Sequence, residues 1–280
     1  MMKDTLALIR QHYEQDHDSA SLVSKITQIL EALKDGPVNP SQLAGLDQFR
    51  VRGVSATKEL AKLAGIQRGA TILDAGSGLG GPSRYLAHAY DCSLIGVDLA
   101  PSFVAVSQLL AEKTGLSALV SYQVGDLLDL PFPDRRFDLV WTQHAVMNIH
   151  DRERVYREFR RVLKSGGKLA FYDVLAANGK PELLFPVPWA QNSGTSFLLT
   201  ETETIDVLER VGFTISAWSG VTMEALTWIG QQKPPLPQQL SLATVMGTRF
   251  ADMAANLVAN IRKGRVRLVM GVCKVDSTRS

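Results

Sequence analysis

A chain of 280 residues, 45% of them hydrophobic, is long enough for one large α/β domain with an appendage. A formal net charge of +2 with interspersed signs gives no reason to expect nucleic acid, and no apolar run approaches the ~20 residues of a membrane span. The polar stretch from Met1 to His17 has no secretory core, and Cys92 and Cys273 lie far apart in apolar, strand-like runs. Buried free thiols and a cytoplasmic setting are therefore expected.

Residues 1–35 read as helical, with Leu22, Val23, Ile26, Ile29, Leu30 and Leu33 at helical spacing before Gly36-Pro37 stops the run. Residues 39–53 read as loop or short helices, and 55–64 as an amphipathic helix. An alternating pattern follows: strand 70–75, helix 82–90, strand 93–98, helix 101–115, strand 119–124, strand 137–143, helix 151–164 and strand 167–175. Strands joined by helical crossovers predict a parallel sheet with helices on both faces. Residues 176–199 form a Pro/Gly/Asn-rich segment of a length that usually marks a functional loop. A helix over 200–211 and strands at 214–221 and 266–275 complete seven strand candidates. Between the last two strands, residues 222–263 read as an insertion with a helix at 238–262, a lid or an oligomer surface, which leaves a homodimer open.

The segment Asp74-Ala75-Gly76-Ser77-Gly78-Leu79-Gly80-Gly81 joins the first strand of that pattern to its helix, and Asp98 ends the next strand. Glycines let such a loop turn tightly and approach a ligand, while a carboxylate at a strand end can accept from ribose hydroxyls. Gly76-x-Gly78-x-x-Gly81 also satisfies the dinucleotide fingerprint, a weak signal by itself. Asp74 tips the choice, because a carboxylate there would repel a pyrophosphate and suits a ligand bearing an ammonium group and no phosphate. S-adenosylmethionine is such a ligand. A cap for the glycine turn is the other reading of Asp74, and both can hold.

The chain resembles class I S-adenosylmethionine-dependent methyltransferases over about residues 55–220. The resemblance rests on Ile72–Leu86, Gly96-Val-Asp-Leu99, Gly125-Asp-Leu127, Pro131–Asp138, Arg161–Lys168 and Leu208–Phe213 in that order. Asp47-Gln-Phe49, Trp141–Asn148 and Pro186-Val-Pro-Trp189 resemble the sarcosine/dimethylglycine N-methyltransferase and ubiquinone/menaquinone methyltransferase-like group. The resemblance implies a doubly wound, seven-stranded Rossmann-like sheet with its last strand antiparallel. Helices over 1–54 would form a cap over the site, and 55–280 would form the methyltransferase domain.

It also implies roles. Asp74, Gly76 and Gly78 would shape the methionine end of the cofactor pocket, and Asp98 with Leu99 the ribose end. Asp126 and Leu127 would face adenine, and Gln143 the methionine moiety. Arg84 could pair with the cofactor carboxylate or be a solvated helix residue. His144, beside the expected sulfonium, is either a general base or a shaper of the pocket. By analogy with phosphobase methyltransferases, Tyr13 would pair with it as a polar gate or base. Asn148, Trp189 and Phe197 would line the acceptor pocket, with Trp141 and Phe185 adding aromatic surface. The histidines have no zinc-type spacing, so no metal is expected.

The implied reaction is methyl transfer to a small-molecule acceptor, first of all an amine of the glycine, sarcosine or dimethylglycine kind. A C- or O-methyltransferase on a quinone, prenyl or natural-product scaffold is the alternative. Apolar Met223, Leu226, Trp228, Leu240, Met246 and Phe250 in the insertion leave room for it. A non-catalytic S-adenosylmethionine-binding protein is the alternative of another class.

Overall fold

The computed structural model describes residues 2–14, 19–32, 38–48, 51–232, 243–247 and 249–276. Seven runs rich in Val, Ile, Leu and aromatics form one sheet: β1 (Thr71–Ala75), β2 (Ser93–Asp98), β3 (Val120–Val124), β4 (Phe137–Gln143), β5 (Leu163–Ala176), β6 (Phe213–Gly220) and β7 (Val266–Val275). Their order is β3-β2-β1-β4-β5-β7-β6. The pairs among β1 to β5 are parallel, while β7 runs antiparallel to both β5 and β6. The order reverses between β1 and β4, which puts a ligand crevice at the carboxyl ends of those strands.

Alternate side chains of the central strands enter opposite cores. On β4, Trp141 joins a cluster with Leu60 and Leu86, whereas Val140 joins one with Phe159 and Leu208. The first face is covered by α4 (Gly53–Ala64) and α5 (Gly81–Tyr90), and the second by α7 (Arg152–Val162) and α8 (Glu201–Arg210). Local chemistry sets several helix starts. Asp151 accepts the Arg154 N–H before α7, and Thr200 and Glu203 form a reciprocal capping box before α8. The proline of Gly81-Pro82 sits in the first turn of α5, where its missing N–H costs nothing.

A third cluster belongs to the cap. Leu22, Ile26 and Leu30 of α2 (Ser19–Ala32) pack with Leu43, Leu46 and with Phe103, Val106 and Leu110 of α6 (Pro101–Lys113). The expected N-terminal helical stretch is two helices, α1 (Met2–Tyr13) and α2; a 3-10 turn (Pro40–Leu43) and α3 (Ala44–Asp47) follow. Leu33, Gly36-Pro37, Phe49 and residues 233–242, Leu240 among them, lie outside the described residues.

Three expectations need correction. The segment 222–263 begins with a helix, α9 (Thr222–Gln231), that its weak apolar pattern did not announce; Ala225 is its one fully buried position. The single helix expected over 238–262 is, where described, α10 (Ala243–Met246) and α11 (Phe250–Arg262). The fifth strand also starts earlier, because Leu163 already pairs with Phe137 ahead of a register shift. Both cysteines are buried free thiols, as expected. Among the described residues, no helix is long and apolar enough to cross a membrane.

Candidate active site

The glycine loop after β1 is shaped by its neighbours. Gly76 has φ +77°, and a Cβ there would lie 2.2 Å from the Ala145 Cβ. The loop therefore packs directly on the turn that follows β4, and only glycine permits it. The Gly76 and Ser77 amides donate to the Val97 carbonyl at 2.8 and 3.1 Å. Asp98 braces the same loop: its Oδ2 accepts the Gly78 N–H at 2.7 Å and its Oδ1 the Ala100 N–H at 3.0 Å. Asp126 Oδ1 accepts the Leu128 N–H at 2.9 Å, fixing the turn after β3.

Gln143 ends β4. Its Oε1 accepts from the Thr57 hydroxyl and the Trp141 indole, each at 3.3 Å. Its Nε2 is buried with no hydrogen-bond partner among the described residues. The next residue, His144, has φ +52°, an uncommon conformation for a non-glycine residue. Its N–H donates to the Tyr172 carbonyl at 2.8 Å, and the two rings lie 4.5 Å apart. Asp173, beside Tyr172 on β5, is wholly buried. Burial raises its carboxyl to about 7, against the pull of the Arg152 guanidinium and the His144 and Ala145 amides.

The cap is joined to the loop 176–199 by side-chain hydrogen bonds. The Tyr13 hydroxyl donates to Asn148 Oδ1 at 2.9 Å, and Asn148 Nδ2 donates to the carbonyls of Trp189 and Thr195 at 2.6 and 2.7 Å. Nearby, buried His12 meets the Pro188 carbonyl through Nε2 at 3.0 Å and Gln191 Nε2 through Nδ1 at 2.9 Å. The Trp189 indole donates to the Ser196 hydroxyl at 2.9 Å. Burial, with a smaller contribution from the Asp98 charge, raises the Tyr13 phenol above its ordinary value. Tyr13 is thus a protonated donor held on Asn148.

These residues surround one cavity of about 420 Å³, within the usual range for small-molecule sites. Gly76, Gly78, Asp98, Leu99, Asp126, Leu127 and Gln143 line it, as do Tyr13, His144, Asn148, Trp189 and Phe197. Asp74 is not on its wall. It is fully buried and accepts from the Ser83 hydroxyl, so it braces the glycine loop from beneath. Nor does Arg84 face the cavity: it is buried, ion-paired with Asp47 at 2.6 Å, and donates to the Leu79 carbonyl at 2.7 Å. Trp141 is core, with no exposure, and Phe185 packs against the same cluster. Pattern reasoning missed Leu6, Ile9, Phe103 and Leu257 on the cavity wall. The i, i+3, i+7 spacing of Leu6, Ile9 and Tyr13 was the available signal for α1.

Residues 73–171 match a family described as a methyltransferase domain. The chain is 30% identical over 230 residues to a protein of Oryza sativa subsp. japonica named as a probable tocopherol O-methyltransferase, chloroplastic; the match spans 74% of this chain and 61% of that one. It is 39% identical over 111 residues to the sarcosine/dimethylglycine N-methyltransferase of Halorhodospira halochloris, spanning 40% of each. The chain thus spans less than two thirds of either relative. Its fold superposes on phosphoethanolamine N-methyltransferase 2 of Haemonchus contortus, solved with S-adenosyl-L-methionine, with a TM-score of 0.70 at 18% identity, covering 96% of this chain and 60% of that one.

Fold, ordered motifs and family match together identify a class I S-adenosylmethionine-dependent methyltransferase domain. The residues present fit that cofactor. Asp98 and Asp126 offer acceptors at the ends of β2 and β3, and the unpartnered Gln143 amide offers a donor at the end of β4.

Proposed function

We propose that the protein transfers a methyl group from S-adenosylmethionine to a small-molecule acceptor held beneath its N-terminal helices. One observation carries this reading. A single cavity takes in both the strand-end floor of Asp98, Asp126 and Gln143 and the chamber walls contributed by Tyr13, Asn148, Trp189 and Phe197. When bound, the cofactor supplies an electrophilic methyl group on a sulfonium.

Asp98 would take the ribose hydroxyls, Asp126 with the Leu127 backbone the adenine, and Gln143 with Gly76 and Gly78 the methionine end. The chamber aligns the acceptor and excludes water, which is the main contribution such a site can make. Held there, the cofactor would supply that methyl to the acceptor's nucleophilic atom, and the electrons of the carbon–sulfur bond would stay on sulfur. An N–H or O–H acceptor then sheds a proton. His144, on the cavity wall, is the side chain suited to take it near neutral pH. Tyr13, protonated and bound to Asn148, acts as a gate that holds the cap down.

The motifs rank amines first. For an amine, His144→Ala should cost rate mainly at lower pH, where more of the amine is protonated. For a C- or O-acceptor the loss should persist at all pH values.

The test is calorimetric titration with S-adenosylhomocysteine and NAD⁺ in parallel, repeated on Asp98→Ala, followed by methyl release over an acceptor panel. Binding of S-adenosylhomocysteine alone, weakened in the variant, supports the cofactor assignment. Retention of the cofactor without methyl release over a broad panel would favour a binding protein.

A further inference from the structure

We infer that the acceptor is an apolar amine carrying no carboxylate or phosphate, an assignment that rests on the methyl-transfer reading. The charges on the cavity wall carry the first part of the argument. Asp98, Asp126 and the exposed Asp151 line it, and no lysine or arginine does so among the described residues. Arg152, close by on α7, turns its guanidinium to the Phe197 carbonyl at 3.1 Å. With Asp98 and Asp126 given to the cofactor, an anionic acceptor would lose its hydration facing Asp151, with no described lysine or arginine on the wall to pair with it. A cationic or proton-donating one is favoured by the same carboxylate.

The neutral donors lead to the same conclusion. Both Asn148 amide hydrogens are committed to the Trp189 and Thr195 carbonyls, the Tyr13 hydroxyl hydrogen to Asn148, and the Trp189 indole to Ser196. A carboxylate needs such donors, whereas an amine N–H needs acceptors. Thr5, His144 and His150 add polar groups to the wall, and the rest of the chamber is apolar. Leu6 and Ile9 of α1 and Met246, Phe250 and Leu257 of α10 and α11 line it. This surface matches a larger hydrocarbon body. The aromatic side chains of Trp189 and Phe197 add surface whose faces attract cations.

The test uses the full chain saturated with S-adenosylhomocysteine and four probes: 2-phenylethylamine, 2-phenylethanol, 3-phenylpropanoate and sarcosine. Binding is read by tryptophan fluorescence and calorimetry, and methyl transfer by product mass with S-adenosylmethionine. The amine should bind about tenfold or more tighter than the alcohol and the propanoate, and should alone gain a methyl mass. Tighter or equal binding of the propanoate or of sarcosine overturns the assignment, and so does equal binding of the alcohol.

Leu6→Arg and Ile149→Arg, the second at a wall position next to Asn148, each place a cation on the wall and should move the preference toward the propanoate while leaving S-adenosylhomocysteine affinity unchanged. An unmoved ranking in both, with that affinity retained, also counts against it. Failure of the native chain to bind S-adenosylhomocysteine would sink the methyl-transfer reading and this assignment with it. Binding of S-adenosylhomocysteine with anions preferred would sink this assignment alone.

Discussion

The two halves of the cavity are built by opposite means. The cofactor half is made of backbone: strand ends, positive-φ glycines and carboxylates that hold neighbouring amides, as Asp98 holds Gly78 and Ala100. The acceptor half is assembled from segments far apart in the chain and joined by a few side-chain hydrogen bonds. Tyr13 reaches Asn148 across 135 residues, and His12 reaches Pro188 across 176. Backbone geometry tolerates little change without loss of the loop. Side-chain links can be altered one at a time, so the acceptor half is where specificity can vary while the cofactor half stays constant.

The comparison predicts that damage to the first half removes cofactor binding or the fold, whereas damage to the second changes acceptor kinetics. The largest effect belongs to Arg84. Removing one partner of its buried pair with Asp47 leaves an uncompensated charge, so Arg84→Met should cost about 3–5 kcal/mol in urea unfolding. The double variant Arg84→Met/Asp47→Leu should recover part of that loss. Gly76→Val comes next. Its side chain would strike Ala145 and its φ is unfavourable for a branched residue, so S-adenosylhomocysteine affinity should fall on the order of 100-fold by calorimetry.

Asn148→Ala tests the other half. It removes three hydrogen bonds that tie α1 and the loop together. The acceptor KM should rise roughly tenfold with S-adenosylhomocysteine affinity unchanged. Equal loss of both affinities would break the distinction between the halves.

The smallest expected effect is at Asp173, beneath the His144 turn. Its folded pKa, raised by burial to about 7, lies above the unfolded value, so the folded state binds more protons in the window between them. Asp173 therefore lowers stability as pH rises through roughly 4 to 7. Asp173→Asn should raise Tm by on the order of a few degrees at pH 8, with the gain shrinking toward pH 4. A pH-independent change in Tm would show that burial does not control this carboxyl.

The cofactor half was largely legible because its signals are local. A glycine loop between an apolar run and a helix, and acids at the ends of the next strands, are each recognised from a few neighbouring residues, although Asp98 holds Gly78 from 20 residues away. Asp74 is the instructive exception. Its proximity to the glycines suggested contact with the ligand, yet it accepts from Ser83, the third residue of α5. Arg84 was similarly misleading, because its partner Asp47 lies 37 residues earlier in the cap. The acceptor half was only partly legible. Tyr13, Asn148, Trp189 and Phe197 could be named, but not that the Asn148 amide is spent on two carbonyls. Helix α9 escaped notice because a helix that buries one small residue leaves little periodic signal.

By itself the sequence determined the alternating α/β order, the glycine loop and the acids that face a nucleoside cofactor, since each depends on residues close together in the chain. Only the tertiary structure decided that no described lysine or arginine reaches the acceptor wall, that Arg84 is consumed by Asp47, and that Tyr13 serves Asn148. Those facts depend on which distant side chains meet when the cap closes on the sheet, and long-range pairing leaves no local pattern to read.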